Sequence, residues 1–179
     1  MGALLALSRG IDAFSKFIGK MAEYAVLICA LISAGNATSR YLFSLSSNGW
    51  LEIQWYLFAF VVLLGASYTL RNNGHVRVDL IYGNISPRAR LWVDLFGLLI
   101  FLLPFTAFIT WLCWPFFYSS YLEGEMSQNA SGLIRWPVKL TLVTGFALLF
   151  MQGISELIKR IAALRGSVQL DTSYEKPMQ

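Results

Sequence analysis

The run from Trp50 to Leu70, WLEIQWYLFAFVVLLGASYTL, restricts this chain more than any other stretch, since only Glu52 in it is charged. At a rise of about 1.5 Å per residue, a helix of this length spans roughly the 30 Å hydrocarbon core of a bilayer. Backbone inside lipid must satisfy its own hydrogen bonds, so such a run is a helix. Directly after it the sequence turns polar, RNNGHVRVD, placing Arg71, His75, Arg77 and Asp79 as a collar at one membrane edge.

Three further apolar blocks follow the same logic, predicting spans at about 21–43, 91–117 and 137–158 beside 50–70. Charged residues make up 13% of the chain against 56% hydrophobic, about half the charged share of a soluble domain. The expected fold is an all-α integral membrane protein with four transmembrane helices, its residues 1–165 forming one membrane domain. Residues 1–20 read as a separate interfacial helix. Leu4, Leu7, Ile11, Phe14 and Ile18 recur every three or four positions, with Arg9, Asp12, Lys16 and Lys20 between them. The alternative for this segment is a signal peptide, but the apolar run that follows is long and lacks a clean small-x-small cleavage site. The polar tail, 166–179, is expected to be disordered.

Within the first span Ala30, Ala34 and Ala37 share a face beside Gly35, a small-residue surface that a neighbouring helix can approach. Asn36 and Arg40 lie one turn apart; they point at protein, or Arg40 snorkels to headgroups beside Tyr41. Asn48 is the expected N-cap of the second span, and Trp50, Trp55 and Tyr56 mark an aromatic belt. Glu52 either complements the helix dipole or pairs with a cation such as Arg40. Asp79 would cap a short surface helix ending at Gly83. Ser86 and Pro87 form a start signal for the third span, with Arg88 and Arg90 at headgroup level. Asp94, one turn after Arg90, is expected to pair with it. Pro104 should kink that span, the one interruption foreseen in any of the four, and Trp111, Trp114, Tyr118 and Tyr121 form a second belt. Thr141, Gly145, Leu149, Gln152 and Glu156 share a helix-contact face of the fourth span, with Glu156 pairing locally with Lys159 or Arg160. Cys29 and Cys113 fall at different depths and read as structural thiols.

With four spans both termini lie on one side. Eleven of the fourteen lysines and arginines share that side, leaving Arg40, Arg135 and Lys139 on the other. The positive-inside rule puts both termini and the 71–90 connection in the cytoplasm. The net charge of +4 suits anionic headgroups. The basic residues sit at the ends of apolar runs and form no single face, so nucleic acid is not expected as a partner. Neither phosphate-binding glycine motif occurs, and a single histidine, His75, excludes bis-histidine haem and HExxH zinc sites. No catalytic site, metal site or cofactor of this chain's own is expected. Internal repeats and midplane acids, common in transporters that work alone, are missing too.

Several of these residues, in this order, resemble a known pattern: Asn36 with Arg40-Tyr41, then Trp50-x-Glu52, Leu64-Gly65-Ala66, and Arg71-x-x-x-His75-Val76-Arg77-Val78-Asp79. The chain is similar over about residues 20–160 to the small, DctQ-like membrane subunit of tripartite ATP-independent periplasmic (TRAP) transporters. The resemblance implies a bacterial inner-membrane complex. In it a periplasmic protein captures an organic acid and a large multi-span subunit moves it inward on a sodium gradient. Sodium would belong to that large partner, and phospholipid would fill gaps at the subunit interface. The small subunit would be a scaffold. Asn36, Arg40, Glu52, Trp55 and Gly65 are its candidate contacts to other helices or subunits. Arg71, His75, Arg77, Asp79, Arg88 and Arg90 are the expected cytoplasmic collar at the lipid headgroups, with the four arginines on lipid phosphates. Two rival readings are a self-assembling channel or carrier acting without a partner, and a membrane enzyme that the missing catalytic set disfavours.

Overall fold

The computed structural model describes residues 2–45, 47–74, 85–130 and 132–168. The expected surface helix at Asp79–Gly83 and the tail beyond 168 lie outside them. The described chain is helical, with four helices long and apolar enough to cross a membrane. Helix α1 covers Gly2–Phe43 and α2 covers Asn48–Arg71. Helix α3, Pro87–Phe96, runs on through a π turn at Gly97–Leu102 into α4, Leu103–Leu122. Helix α5 covers Trp136–Leu164. It packs against α1, α2, α3 and α4 and is the hub of the bundle.

No break separates the expected interfacial segment from the first span. They are one 42-residue helix, about 63 Å long. Its buried stripe is Ser8, Ile11, Ser15, Gly19, Ala22 and Ala25, continuous across the expected boundary. Leu4, Leu7 and Phe14, three of the five residues that suggested the interfacial face, are exposed, whereas Ile11 belongs to the buried stripe. The apolar repeat was legible, but the small residues make the packing surface, because they let backbones approach closely. At Gly19 a Cβ would lie 2.4 Å from the ring of Tyr68 on α2. At Gly145 on α5 it would lie 2.7 Å from the Cβ and 2.9 Å from the carbonyl oxygen of Leu63.

The N-cap of α2 is Ser47 and not Asn48: the Ser47 hydroxyl accepts from the Gly49 N–H, and Asn48 is the first helical residue. Ser86 caps α3 as expected, accepting from the Ala89 N–H at 3.3 Å with Pro87 in the first turn. Pro104 does not interrupt a regular helix. The N–H of Leu103 reaches back five residues to Leu98, and the widened turn puts Pro104 at the start of α4. A π turn accommodates a proline ring that would otherwise collide with the carbonyl four residues earlier. A second proline, Pro115, also lies inside α4, so Pro104 is not the only proline in that span. Buried hydroxyls deep in the bundle return to their own helix, Ser67 to the Leu64 carbonyl and Thr106 to those of Leu102 and Leu103. Cys29 and Cys113 are free thiols.

Candidate functional site

Polar chemistry is concentrated at the two ends of α5. Near its C-terminal end the α1 stripe meets the α5 face, so that Ser8, Asp12 and Ser15 stand against Gln152, Ser155 and Lys159. The carboxylate of Asp12 accepts from the Ser155 hydroxyl at 2.7 Å, the Gln152 amide at 2.9 Å and the Lys159 ammonium at 3.0 Å. Ser15 donates to the Gln152 amide oxygen at 2.7 Å, and the Ser8 and Ser155 hydroxyls bond to each other. One turn on, Glu156 receives Gln152, Lys159 and Arg160. Arg160 then reaches outward: its Nε donates to Asp94 on α3 at 3.0 Å, and its Nη2 to Asn73 at 3.3 Å. Asn73 follows α2 with φ +53°, a left-handed conformation that asparagine tolerates well. This cluster therefore touches the ends of α1, α2, α3 and α5.

Two expectations are settled here. Glu156 does pair with both Lys159 and Arg160. Asp94, expected to answer Arg90 on its own helix, pairs instead with Arg160, 66 positions away. A buried guanidinium needs several acceptors, and the rotation of α3 against α5 supplies Asp94 as one. Asp12, Ser8, Ser15 and Lys159 had not been singled out as a site. Their signal in the sequence was the small and polar series Ser8, Ser15, Gly19, Ala22 and Ala25, recurring at three-, four- and seven-residue spacing along one helix.

The other cluster closes the N-terminal end of α5. Glu52 on α2 is buried, and it does not bond Arg40. The 123–135 loop folds back over it, with Met126 and Ile134 forming an antiparallel bridge. Glu52 accepts from the Ser127 hydroxyl, from the Asn129 amide at 2.7 Å and from the Leu133 N–H at 2.7 Å. The Tyr56 hydroxyl donates to the Ile134 carbonyl at 3.1 Å. Glu125 pairs with Lys139, whose ammonium also lies 3.9 Å over the Phe116 ring. The hydrogen bond from Lys139 holds the Glu125 carboxyl below the usual carboxylate range. Asn129 is thus a ligand of Glu52. Three loop donors satisfy the carboxylate through hydrogen bonds to a charged acceptor, which are stronger than neutral ones.

The remaining predicted residues are spread over the surface. Asn36 and Arg40 line a groove of about 500 Å³ between α1 and α2, together with Ser33, Ala37, Leu51 and Gln54. Arg40 itself is exposed, as are Ala30, Ala34 and Ala37, so that small-residue face is open among the described residues. Trp55 is exposed, and Gly65 faces Ala22 of α1. In the collar, Arg71 donates to the Asn72 side chain and keeps a buried Nε without a partner. Arg88 is exposed and Arg90 half-buried. His75, Arg77 and Asp79 lie outside the described residues. Among the described residues, no group of three metal-binding side chains comes together.

The family model described as "Tripartite ATP-independent periplasmic transporters, DctQ component" matches residues 14–163 of the chain. No curated protein and no solved structure gives a match.

Proposed function

The chain belongs to the DctQ component family of the TRAP transporters, and on that premise we propose that it is the stationary scaffold of its transporter. As a small TRAP subunit it is a multi-pass membrane protein and a transporter component, and its family is not one of enzymes. In the proposed reading it sits in the bacterial inner membrane with both termini in the cytoplasm. It anchors a large subunit that moves an organic acid by an elevator motion coupled to sodium. A periplasmic binding protein delivers that acid. Sodium and solute are handled by the large subunit, and phospholipids fill the gaps between the two.

One observation carries the reading. The two polar clusters lie at opposite ends of α5, with Lys139 and Glu156 separated by seventeen residues. That is about 25 Å along the axis, close to the hydrocarbon thickness. Each cluster ties helices together, so the bundle is fixed at both lipid faces. A body held in this way resists tilting while a neighbour slides past it. The groove with Asn36 and Arg40, and the alanine face beside it, are the surfaces we assign to the large subunit. The test is recovery of the large subunit with this chain, followed by uptake into vesicles. The scaffold reading expects co-purification, loss of uptake when this chain is removed, and no flux with this chain alone. Solute flux through vesicles holding this chain alone would support the self-assembling carrier instead.

A further inference from the structure

Helix α1 leaves two stripes uncovered, and their chemistry differs. Phe14, Phe17, Met21, Tyr24, Ile28 and Leu31 recur every three or four residues, are exposed, and suit lipid tails. Arg9, Lys16, Lys20, Glu23, Ala30 and Ala34 follow at steps of seven, four, three, seven and four, which aligns them on a second stripe. All six are exposed. This stripe holds four of the six charged residues of α1, the others being Asp12 in the polar cluster and Arg40 near the C-terminal end. Depth singles out Glu23. A span starting near residue 21 would put it at the membrane edge, but α1 is unbroken there. Its register against α2 is fixed by Gly19 on Tyr68 and Ala22 opposite Gly65. Gly65 lies six residues before Arg71 and thirteen after Glu52. Glu23 therefore stands about 9 Å inside the Arg71 edge and about 20 Å from the level of Glu52. Among the described residues it makes no hydrogen bond or ion pair.

Lys16 and Lys20 lie nearer the edge, and their long stems carry the ammonium groups to the headgroups. The shorter glutamate stem does not reach. A carboxylate facing lipid tails at that depth is costly, and charges inside a bilayer are as a rule paired. We propose that the large subunit covers this stripe and presents a lysine or arginine to Glu23 from one of its spanning helices. Ala30 and Ala34, one and two turns further along the stripe, let that helix approach closely. The inference rests on the scaffold reading and extends the surface assigned to the large subunit from Asn36 and Arg40 along α1 to Glu23. A second copy of this chain does not fit the stripe. Parallel copies about a twofold axis would set Arg9, Lys16 and Lys20 against their own equivalents at equal depth, a like-charge contact.

The experiment is photo-crosslinking in membranes that hold the full-length chain together with its large subunit. Benzoylphenylalanine takes the place of Leu27, one turn beyond Glu23 and itself exposed, or of Met21 on the apolar stripe. We expect a covalent adduct with the large subunit from position 27 and none from position 21. Glu23→Gln should lower recovery of the large subunit in detergent about three- to tenfold, as for one lost polar contact between helices. Glu23→Lys should lower it further. Neither should change the helicity of the isolated chain, where Glu23 is exposed and unbonded. Variants of the large subunit selected to restore recovery with Glu23→Lys should replace a lysine or arginine by an acid. Recovery equal to wild type for both Glu23 variants overturns the proposal and spares the scaffold reading. So does an adduct from position 27 with a second copy of this chain, or no adduct from that position. Failure of the wild-type chain to recover the large subunit strikes both readings.

Discussion

Replacing Arg160 by methionine removes one charge from the cluster at the C-terminal end of α5 while keeping most of the side-chain volume. The arginine side chain is 6% exposed, Glu156 4% and Asp94 18%. The variant therefore leaves Glu156 in a nearly dry setting with only Lys159 and Gln152 to answer it among the described residues, and takes Arg160 away from Asp94. Breaking a buried pair from one side costs about 3–5 kcal/mol, which shifts the folding equilibrium by roughly two to three and a half orders of magnitude. The Asn73 contact is lost as well, so the end of α2 should fray first. The assay is unfolding of the purified chain in mixed micelles, followed by circular dichroism, with amide exchange reporting on residues 70–74. Glu156→Leu and the double variant complete a thermodynamic cycle. With both charges removed the penalty should fall well below the sum of the single effects, giving a coupling of about 1–3 kcal/mol. A loss under about 1 kcal/mol for Arg160→Met, or single effects that add within about 0.5 kcal/mol, would refute the claim that this cluster binds the helix ends together.

Other outcomes follow from the same geometry. Gly145→Leu should separate α2 from α5, because the new Cβ meets the Leu63 carbonyl, which cannot rotate away; a cost of about 1–3 kcal/mol or more is expected from overpacking, readable as a lowered midpoint in the same unfolding assay. Glu52→Ala should free the 123–135 loop by removing its three-donor acceptor, seen as protease cleavage in that loop while total helicity is unchanged. Arg40→Glu should leave the isolated chain's stability unaltered, since Glu52 is satisfied elsewhere, and should reduce recovery of the large subunit. For Glu125 the folded carboxyl is depressed below its unfolded value of about 4.3. The loop stabilisation from Lys139 should then be complete above about pH 5. It should be lost as pH falls through the depressed value, and the Glu125→Gln variant should lack this acid dependence in loop amide exchange.

The sequence by itself determined the class, the number of spans and the family. A long apolar run can be solvated only by lipid or a very large core, so Trp50–Leu70 announces a spanning helix without reference to any neighbour. Ser86 with Pro87 is equally local, because capping and a fixed φ act within one turn. The partners of the charged residues were decided only in the folded bundle. Glu52 and Asn129 are 77 positions apart, and Asp94 and Arg160 are 66 apart; which of them meet depends on the rotation of each helix about its axis. That rotation is set by small residues, Gly19 against Tyr68 and Gly145 against Leu63, whose side chains carry almost no hydrophobic signal. In lipid the apolar surface of a helix is already solvated, so hydrophobicity does not choose the packing face. Close backbone approach and buried hydrogen bonds choose it, and both belong to the tertiary structure.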